Sequence, residues 1–99
     1  MILDQTVNFD GEELTVDVRR YNMRPGNPAI QLYDADGSPY LTASVNLPDK
    51  QVVPDGCIAI KDYSENAGIA EALQSAGIIG ERVCYMDGIP IYRLLVQAL

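Results

Sequence analysis

The 99-residue sequence predicts one α+β domain spanning residues 1–99, with an antiparallel, meander-type sheet of five to seven strands and one short helix packed on one face. Three observations predict this class. Apolar and polar residues alternate with a period of two in the first half, turn dipeptides separate the alternating runs, and one stretch near residue 70 changes to helical spacing. A chain of this length buries enough surface for one modest core.

The first half of the chain predicts four antiparallel strands in sequence order. The runs "QTVNF" and "ELTVDVRR" form a hairpin across Asp10-Gly11, a dipeptide typical of two-residue turns. After "MRPGNP", whose prolines and glycine interrupt a strand, the runs "AIQLY" and "YLTASVNL" flank the turn "DADG". The core-facing side chains predicted for the second and fourth strands are Leu14, Val16, Val18, Leu41, Ala43, Val45 and Leu47.

The second half predicts an interior strand and a closing hairpin on either side of the helix. The run "CIAI" is apolar throughout, as is typical of a strand buried on both faces. The runs "RVCYM" and "IPIYRLLV" flank Asp87-Gly88 and form the last hairpin. Because Pro90 has no N–H to donate to a ladder, it predicts an edge strand or a bulge at that position.

The helix lies within "KDYSENAGIAEALQSAGIIG", residues 61–80. Its apolar stripe follows the i, i+3, i+4, i+7 spacing of one helical face and consists of Ile69, Ala72, Leu73 and Ala76. Before it, Asp62 and Glu65 have the spacing of a capping box, and Ser64 or Asn66 is an alternative cap. The stripe predicts a short helix that closes a core.

The charge of the chain bears on its partners. Fourteen acids against seven bases give a net charge of −7, spread evenly along the sequence. Such a surface repels phosphate backbones, so direct DNA or RNA binding is disfavoured. It suits a basic protein partner, including one whose natural ligand is nucleic acid; the alternative is that the charge only maintains solubility. The sequence predicts no membrane helix and no signal peptide, so we expect a soluble cytoplasmic protein.

The residue types exclude most catalytic and metal-binding chemistry. Without histidine, the commonest general base, the Ser–His and Cys–His pairs and most zinc and copper sites are absent. Cys57 and Cys84 are predicted as core thiols, with a disulfide between them as the alternative. The clustered carboxylates, which are Asp10, Glu12, Glu13 and the pair Asp62 and Glu65, are explained more simply by turns and helix capping than by acid–base work. We therefore expect no cofactor, no metal and no enzymatic activity.

The segments "SVNLPDK" and "IKDYSENAGIAEALQSAGII" carry a resemblance to a known family. The shared pattern is V-N-L-P at 45–48, K-D-aromatic at 61–63, S-E-N at 64–66, E-A-L at 71–73 and Ala76-Gly77. Over roughly residues 28–80 the chain resembles an uncharacterised family of small acidic proteins carried on bacterial conjugative elements, plasmids and phages. Because small acidic proteins of mobile elements often protect the element from host defence, the resemblance implies an anti-CRISPR or antirestriction role.

The polar leading end of the helix carries more polar residues than a cap requires, and it is the predicted partner-binding surface. Its residues are Asp62, Tyr63, Glu65, Asn66 and Glu71. The predicted function is non-enzymatic inhibition of a bacterial nucleic-acid-targeting defence system, by stoichiometric binding to a basic, DNA-handling face of a CRISPR effector in a bacterial host. Two alternatives stay open. One is an accessory or structural protein of a conjugative element or phage, which assembly through edge strands would favour; the other is a carboxylate-based hydrolase with a divalent ion.

Overall fold

The computed structural model describes residues 1–22 and 26–98, without the side chain of Lys50. These residues form seven strands, one α-helix and two short 3-10 turns. The elements are β1 (Ile2–Phe9), β2 (Glu12–Arg20), β3 (Pro28–Tyr33), β4 (Pro39–Thr42), β5 (Cys57–Ala59), α1 (Ile69–Ser75), β6 (Ile79–Met86) and β7 (Ile89–Leu94), with 3-10 turns at Pro48–Lys50 and Ser64–Asn66. Part of the predicted interruption "MRPGNP", residues 23–25, lies outside the described residues.

The strands form two antiparallel sheets. The first has the order β1-β2-β3-β4 and the second the order β5-β7-β6. The α+β class with one short helix is confirmed. The prediction of a single meander of five to seven strands is wrong, because the meander ends after four strands and the last three strands form a sheet of their own.

The sheets divide at Ser44. Its side-chain Oγ accepts a hydrogen bond from the backbone N–H of Ile30 at 2.9 Å, so a hydroxyl replaces the carbonyl that a continued β4 would offer. The main chain of Ser44 instead forms an isolated antiparallel bridge with Ile60, next to β5. The predicted fourth strand, residues 40–47, therefore ends at Thr42, and the chain passes from the first sheet to the second.

This transfer splits the predicted apolar face of residues 40–47 between two clusters. Leu41 and Ala43 join the larger cluster, which lies between the two sheets and α1. Val45 and Leu47 join a smaller cluster on the other face of the second sheet, together with Val53 from the loop that covers it. The second sheet is thus buried on both faces around β5, whose residues are all buried.

Both predicted Asp-Gly hairpins are confirmed. Asp10 and Gly11 have φ values of 52° and 76°, and Asp87 and Gly88 have 52° and 77°. Positive φ at both central residues matches the right-handed twist of the flanking strands, and asparagine, aspartate and glycine tolerate it best.

Of the two alternatives predicted at Pro90, the edge strand is wrong, because β7 is the central strand of its sheet. A register irregularity does lie beside it, between Arg82 and Cys84 of β6, one pair before Tyr85 with Pro90. Pro90 lies one residue beyond the last β5 pair, Ala59 with Ile91, and its carbonyl accepts a hydrogen bond from the N–H of Ile60 at 3.2 Å. The missing proline donor therefore falls where β5 has already ended.

Among the described residues, no helix is long and apolar enough to cross a membrane.

Candidate partner-binding surface

Asp62, the first residue of the predicted surface, holds the start of α1. Its Oδ1 accepts hydrogen bonds from the backbone N–H of Gly68 at 2.9 Å and of Ala70 at 3.2 Å. The first N–H groups of a helix have no partner within the helix, so this carboxylate satisfies two of them. These two hydrogen bonds join residues that are six and eight positions apart, across the 3-10 turn at Ser64–Asn66. The observed cap therefore differs from the predicted capping box, which paired Asp62 with Glu65.

Asn66 lies inside the protein. It is 1 % exposed, and its Nδ2 donates a hydrogen bond to the carbonyl of Thr42 at 2.7 Å. This bond fixes the segment before α1 to the end of β4. Because it is buried, the Asn66 side chain is not part of the exposed surface. It holds in place the segment that carries Tyr63 and Glu65.

Tyr63 and Glu65 lie on the surface, where Lys61 contacts both. The Lys61 ammonium is 2.7 Å from Glu65 Oε1 and 5.8 Å from the centroid of the Tyr63 ring, whose residue is 47 % exposed. The hydrogen bond from Lys61 lowers the pKa of Glu65 and raises that of Lys61. Because the lysine neutralises this carboxylate locally, Glu65 offers a basic partner less than its charge implies.

Glu71 is exposed in the first turn of α1, beside a groove between this helix and β1. The groove has a volume of about 630 Å³. Phe9, Gly68 and Ala72 contribute apolar surface to it, and Asp10 from the β1–β2 turn lines it with Glu71. The packing is close, since a Cβ added to Gly68 would lie 3.7 Å from Phe9 Cε1. Two carboxylates that are far apart in sequence therefore line one groove.

Asp10 continues into Glu12 and Glu13 along the hairpin, and with Glu71 these residues define what we call the acidic end. Among the side chains that the structure describes, none of these four carboxylates forms an ion pair, although Glu13 accepts a hydrogen bond from Thr6 at 3.2 Å. The sequence did not predict Asp10, Glu12 and Glu13 as part of the surface. No local pattern links them to a helix about sixty residues away.

A different carboxylate, Asp17, is fully compensated. It is 1 % exposed on β2, and its two oxygens accept hydrogen bonds from the Met1 ammonium at 2.9 Å and from Arg19. Burial alone would raise the pKa of Asp17, but these two cations outweigh it and the pKa is lowered. Asp17 belongs to the stability of the first sheet and not to the acidic end.

The two cysteines are both free thiols. Cys57 is buried on β5, and burial raises the pKa of its thiol. Cys84 is half-buried on β6, and β7 lies between the two strands. Two neighbouring strand spacings amount to roughly 9–10 Å, which exceeds the Cα separation of about 4.4–6.8 Å that a disulfide needs. The core-thiol prediction is confirmed for Cys57.

Among the described residues, no three Asp, Glu or Cys side chains group closely enough to hold a metal ion.

Comparison of the chain with family models, with curated proteins and with solved structures gives no match. The resemblance to mobile-element proteins therefore stays a prediction from the sequence.

Proposed function

We propose that the protein is a non-enzymatic inhibitor of a bacterial nucleic-acid-targeting defence complex, of anti-CRISPR type. It binds with its acidic end to a basic, DNA-handling face of the effector. The observation that supports this proposal most is that Asp10 and Glu71 line one groove, next to Glu12 and Glu13 of the same hairpin as Asp10, with no compensating cation among the described side chains.

Unpaired carboxylates are the appropriate groups for this task. A basic groove that binds phosphates attracts exposed negative charge over a distance of about one Debye length, and it makes charge-assisted hydrogen bonds at contact. A carboxylate that already has a cationic partner must lose that partner first. Glu71 and Asp10 are therefore better placed for binding than Glu65, whose partner Lys61 is 2.7 Å away.

The predicted surface keeps two roles under this proposal. Tyr63 and Glu71 supply exposed contact area, and tyrosine adds buried area at a low cost in side-chain entropy. Asp62 and Asn66 hold the leading segment and α1 in place through their hydrogen bonds. Reversing the charge of Asp62 would thus damage the helix as well as the surface, and it is a poor probe of binding.

The test is competition with target DNA on a panel of purified CRISPR effectors. The probe variant is Asp10→Asn/Glu71→Lys, in which asparagine still tolerates the positive φ of the turn. The matched control is Asp49→Asn/Asp55→Lys, which changes the net charge equally at two exposed acids of the loop between β4 and β5. Asp49 has a positive φ of 56°, like Asp10, and this loop does not line the groove. We expect the wild type and the control to displace target DNA from one effector, and the probe variant to need about tenfold more protein.

Two results would overturn the proposal. Failure of the wild type to displace DNA from any effector excludes this mechanism, and an equal loss in probe and control shows that only net charge matters. Raising the salt concentration should weaken the wild-type inhibition, because contacts between exposed charges are screened.

A further inference from the structure

The groove between the strand β1 and the helix α1 has two carboxylates of the acidic end near one of its ends. The helix begins beside the first hairpin turn, because a Cβ added to Gly68 would lie 3.7 Å from Phe9 Cε1. Glu71 follows in the first turn of α1, and Asp10 follows Phe9 in the chain. The groove volume of about 630 Å³ is within the range of about 300–1,000 Å³ that is typical of ligand-binding clefts.

One wall of this groove is the outer edge of β1. In the described part of the chain, β1 pairs only with β2, and the pairing is regular from Thr6 to Phe9. A two-residue turn closes on a pair that exchanges both of its hydrogen bonds, here Phe9 with Glu12, and such pairs then alternate along the ladder. The backbone N–H and C=O groups of Asn8 and Thr6 therefore point away from β2. No backbone group of another described element forms a hydrogen bond with them, and both residues line the groove.

The opposite wall leaves room for a peptide backbone. Apart from Glu71, the residues that line the groove from α1 and its N-cap are all small, and they are Gly68, Ala72, Ser75 and Ala76. The seven residues of α1 extend over about 10 Å, and β1 extends over about 13 Å from Thr6 to Asp10. The groove therefore has the length of about four residues of extended chain.

We propose that this groove binds an extended segment of a basic protein, which adds to the edge of β1 as a further strand and places arginine or lysine at the acidic end. Backbone hydrogen bonds to Thr6 and Asn8 hold the segment, as in other complexes in which a peptide extends a sheet. Asp10 and Glu71 select the basic residues through charge-assisted hydrogen bonds. The inference rests on the proposed function, because it specifies how the acidic end contacts its partner.

Charge complementarity identifies the occupant. Asp10 and Glu71 are exposed and form no ion pair among the described side chains, and no described lysine or arginine lines the groove. A nucleic acid would be repelled by the same carboxylates. Antiparallel addition is slightly more stable than parallel addition, and it directs the segment from Asp10 toward Thr6. The basic residues therefore come first in the bound segment.

The first test is binding of synthetic peptides to the purified protein, measured by fluorescence polarisation. The probes are acetylated hexapeptides in which two arginines precede four positions filled with every combination of alanine, serine, threonine and valine. We expect the tightest-binding peptide to bind Asp10→Asn/Glu71→Lys at least about tenfold more weakly than the wild type. The control Asp49→Asn/Asp55→Lys, with the same net charge, should differ from the wild type by less than about threefold at about 0.15 M salt. An equal loss in both variants would overturn the proposal.

Methylation of the peptide backbone tests strand addition without any change to the protein. In an added strand, the N–H groups of alternate residues face β1 and the others face away. N-methylation of one alternate pair among the four residues after the arginines should therefore weaken binding at least about tenfold more than N-methylation of the other pair. Equal effects of the two pairs would show that the peptide is not bound as a strand and would contradict the proposal.

A bulky side chain in the groove tests where the peptide binds. Ser75 is exposed and lines the groove, whereas its neighbour Gln74 is exposed and does not. Ser75→Trp should abolish peptide binding and Gln74→Trp should retain it, with circular dichroism showing that both variants are folded. Unchanged binding by Ser75→Trp overturns the proposal. It is also overturned if no hexapeptide binds the wild type with a dissociation constant below about 1 mM.

Other occupants of the groove give different results. If acetylarginine amide binds as tightly as the best hexapeptide, the groove takes a single cation and strand addition is wrong. If the wild type dimerises in sedimentation equilibrium and Ser75→Trp does not, a second copy is the occupant and the proposal is wrong.

The peptide tests and the DNA competition fail separately. A wild type that displaces DNA from an effector but binds no hexapeptide keeps the proposed function and loses the strand-addition groove. A wild type that binds the hexapeptide by all three criteria but displaces no DNA keeps the groove and loses the inhibitory function.

Discussion

The two hairpins of this protein share a turn and differ in their surfaces. The β1–β2 and β6–β7 hairpins both close with Asp-Gly in the same left-handed conformation, with φ values that differ by at most 1°. Residues 2–20 carry five acids and two bases, however, whereas residues 79–94 carry two of each. The same Asp-Gly dipeptide therefore gives both turns the same backbone conformation, whereas the neighbouring side chains give the two hairpins different charge.

This difference separates two kinds of surface on one small fold. The first hairpin projects unpaired carboxylates beside α1 and is suited to a basic partner. The second hairpin carries equal numbers of acids and bases and exposes the side chains of Val83 and Tyr85. The ion-paired carboxylates of the two hairpins also differ in exposure. Asp17 in the first hairpin is buried, whereas Glu81 in the second is exposed.

The largest expected effect comes from these ion pairs. Asp17→Asn should lower the free energy of unfolding by about 1.5–3 kcal/mol at pH 7, since it removes the charge of a buried carboxylate that accepts hydrogen bonds from two more exposed cations, the Met1 ammonium and Arg19. Glu81→Gln, which breaks the exposed pair with Arg93, should change stability too little to measure. Chemical denaturation of both variants decides the point. Equal losses would mean that the two hairpins do not differ as described.

The pH dependence of stability follows from the same carboxylate. The pKa of Asp17 is lower in the folded chain than its ordinary value of 3.8, so its contribution is present above that value and is lost as the pH falls through the lowered one. The stability gap between wild type and Asp17→Asn should be constant from about pH 5 to 7 and should shrink below about pH 4. A gap that is unchanged at pH 2.5 would contradict this explanation.

A smaller effect is expected at the shared turn. Gly11→Ala and Gly88→Ala place a side chain at φ values of 76° and 77°, with nothing within 4 Å of the added Cβ in either case. Each substitution should therefore cost about 1 kcal/mol through backbone strain alone. Thermal unfolding of the two variants is the measurement. A difference between them much above 0.5 kcal/mol would show that the turns are not equivalent.

The smallest effect is expected at the acidic end. Glu71→Gln should leave the free energy of unfolding within about 0.5 kcal/mol of the wild type, since this exposed side chain has no ion pair among the described residues. Urea denaturation at pH 7 is sufficient. A clear loss of stability would assign Glu71 to the structure of the helix and remove it from the candidate surface.

Local signals explain which parts of the fold are predictable from the sequence. The two Asp-Gly hairpins and the apolar stripe of α1 depend on residues that are close in sequence. The division into two sheets depends on Ser44, whose hydroxyl replaces a ladder partner of Ile30 and whose main chain pairs with Ile60. In the sequence, a serine that ends one sheet in this way cannot be distinguished from a serine at an ordinary strand position of an alternating run.

The candidate surface is predictable only in part for the same reason. The polar leading end of the helix is visible in the sequence. The hydrogen bond from buried Asn66 to Thr42 and those that Asp62 accepts from the backbone of Gly68 and Ala70 are not. Asp10 and Glu71 line the same groove only because α1 packs against the end of β1. Such contacts between distant residues cannot be derived from spacing along the chain.

The most direct measurement is plasmid transformation into CRISPR-immune bacterial hosts that express the wild type, Asp10→Asn/Glu71→Lys or the control Asp49→Asn/Asp55→Lys. If the acidic end blocks a defence effector, the wild type and the control restore transformation in one host, and the probe variant restores it at least about tenfold less. Restoration by the probe variant at the wild-type level, with all three proteins equally abundant, would contradict the central role of the acidic end.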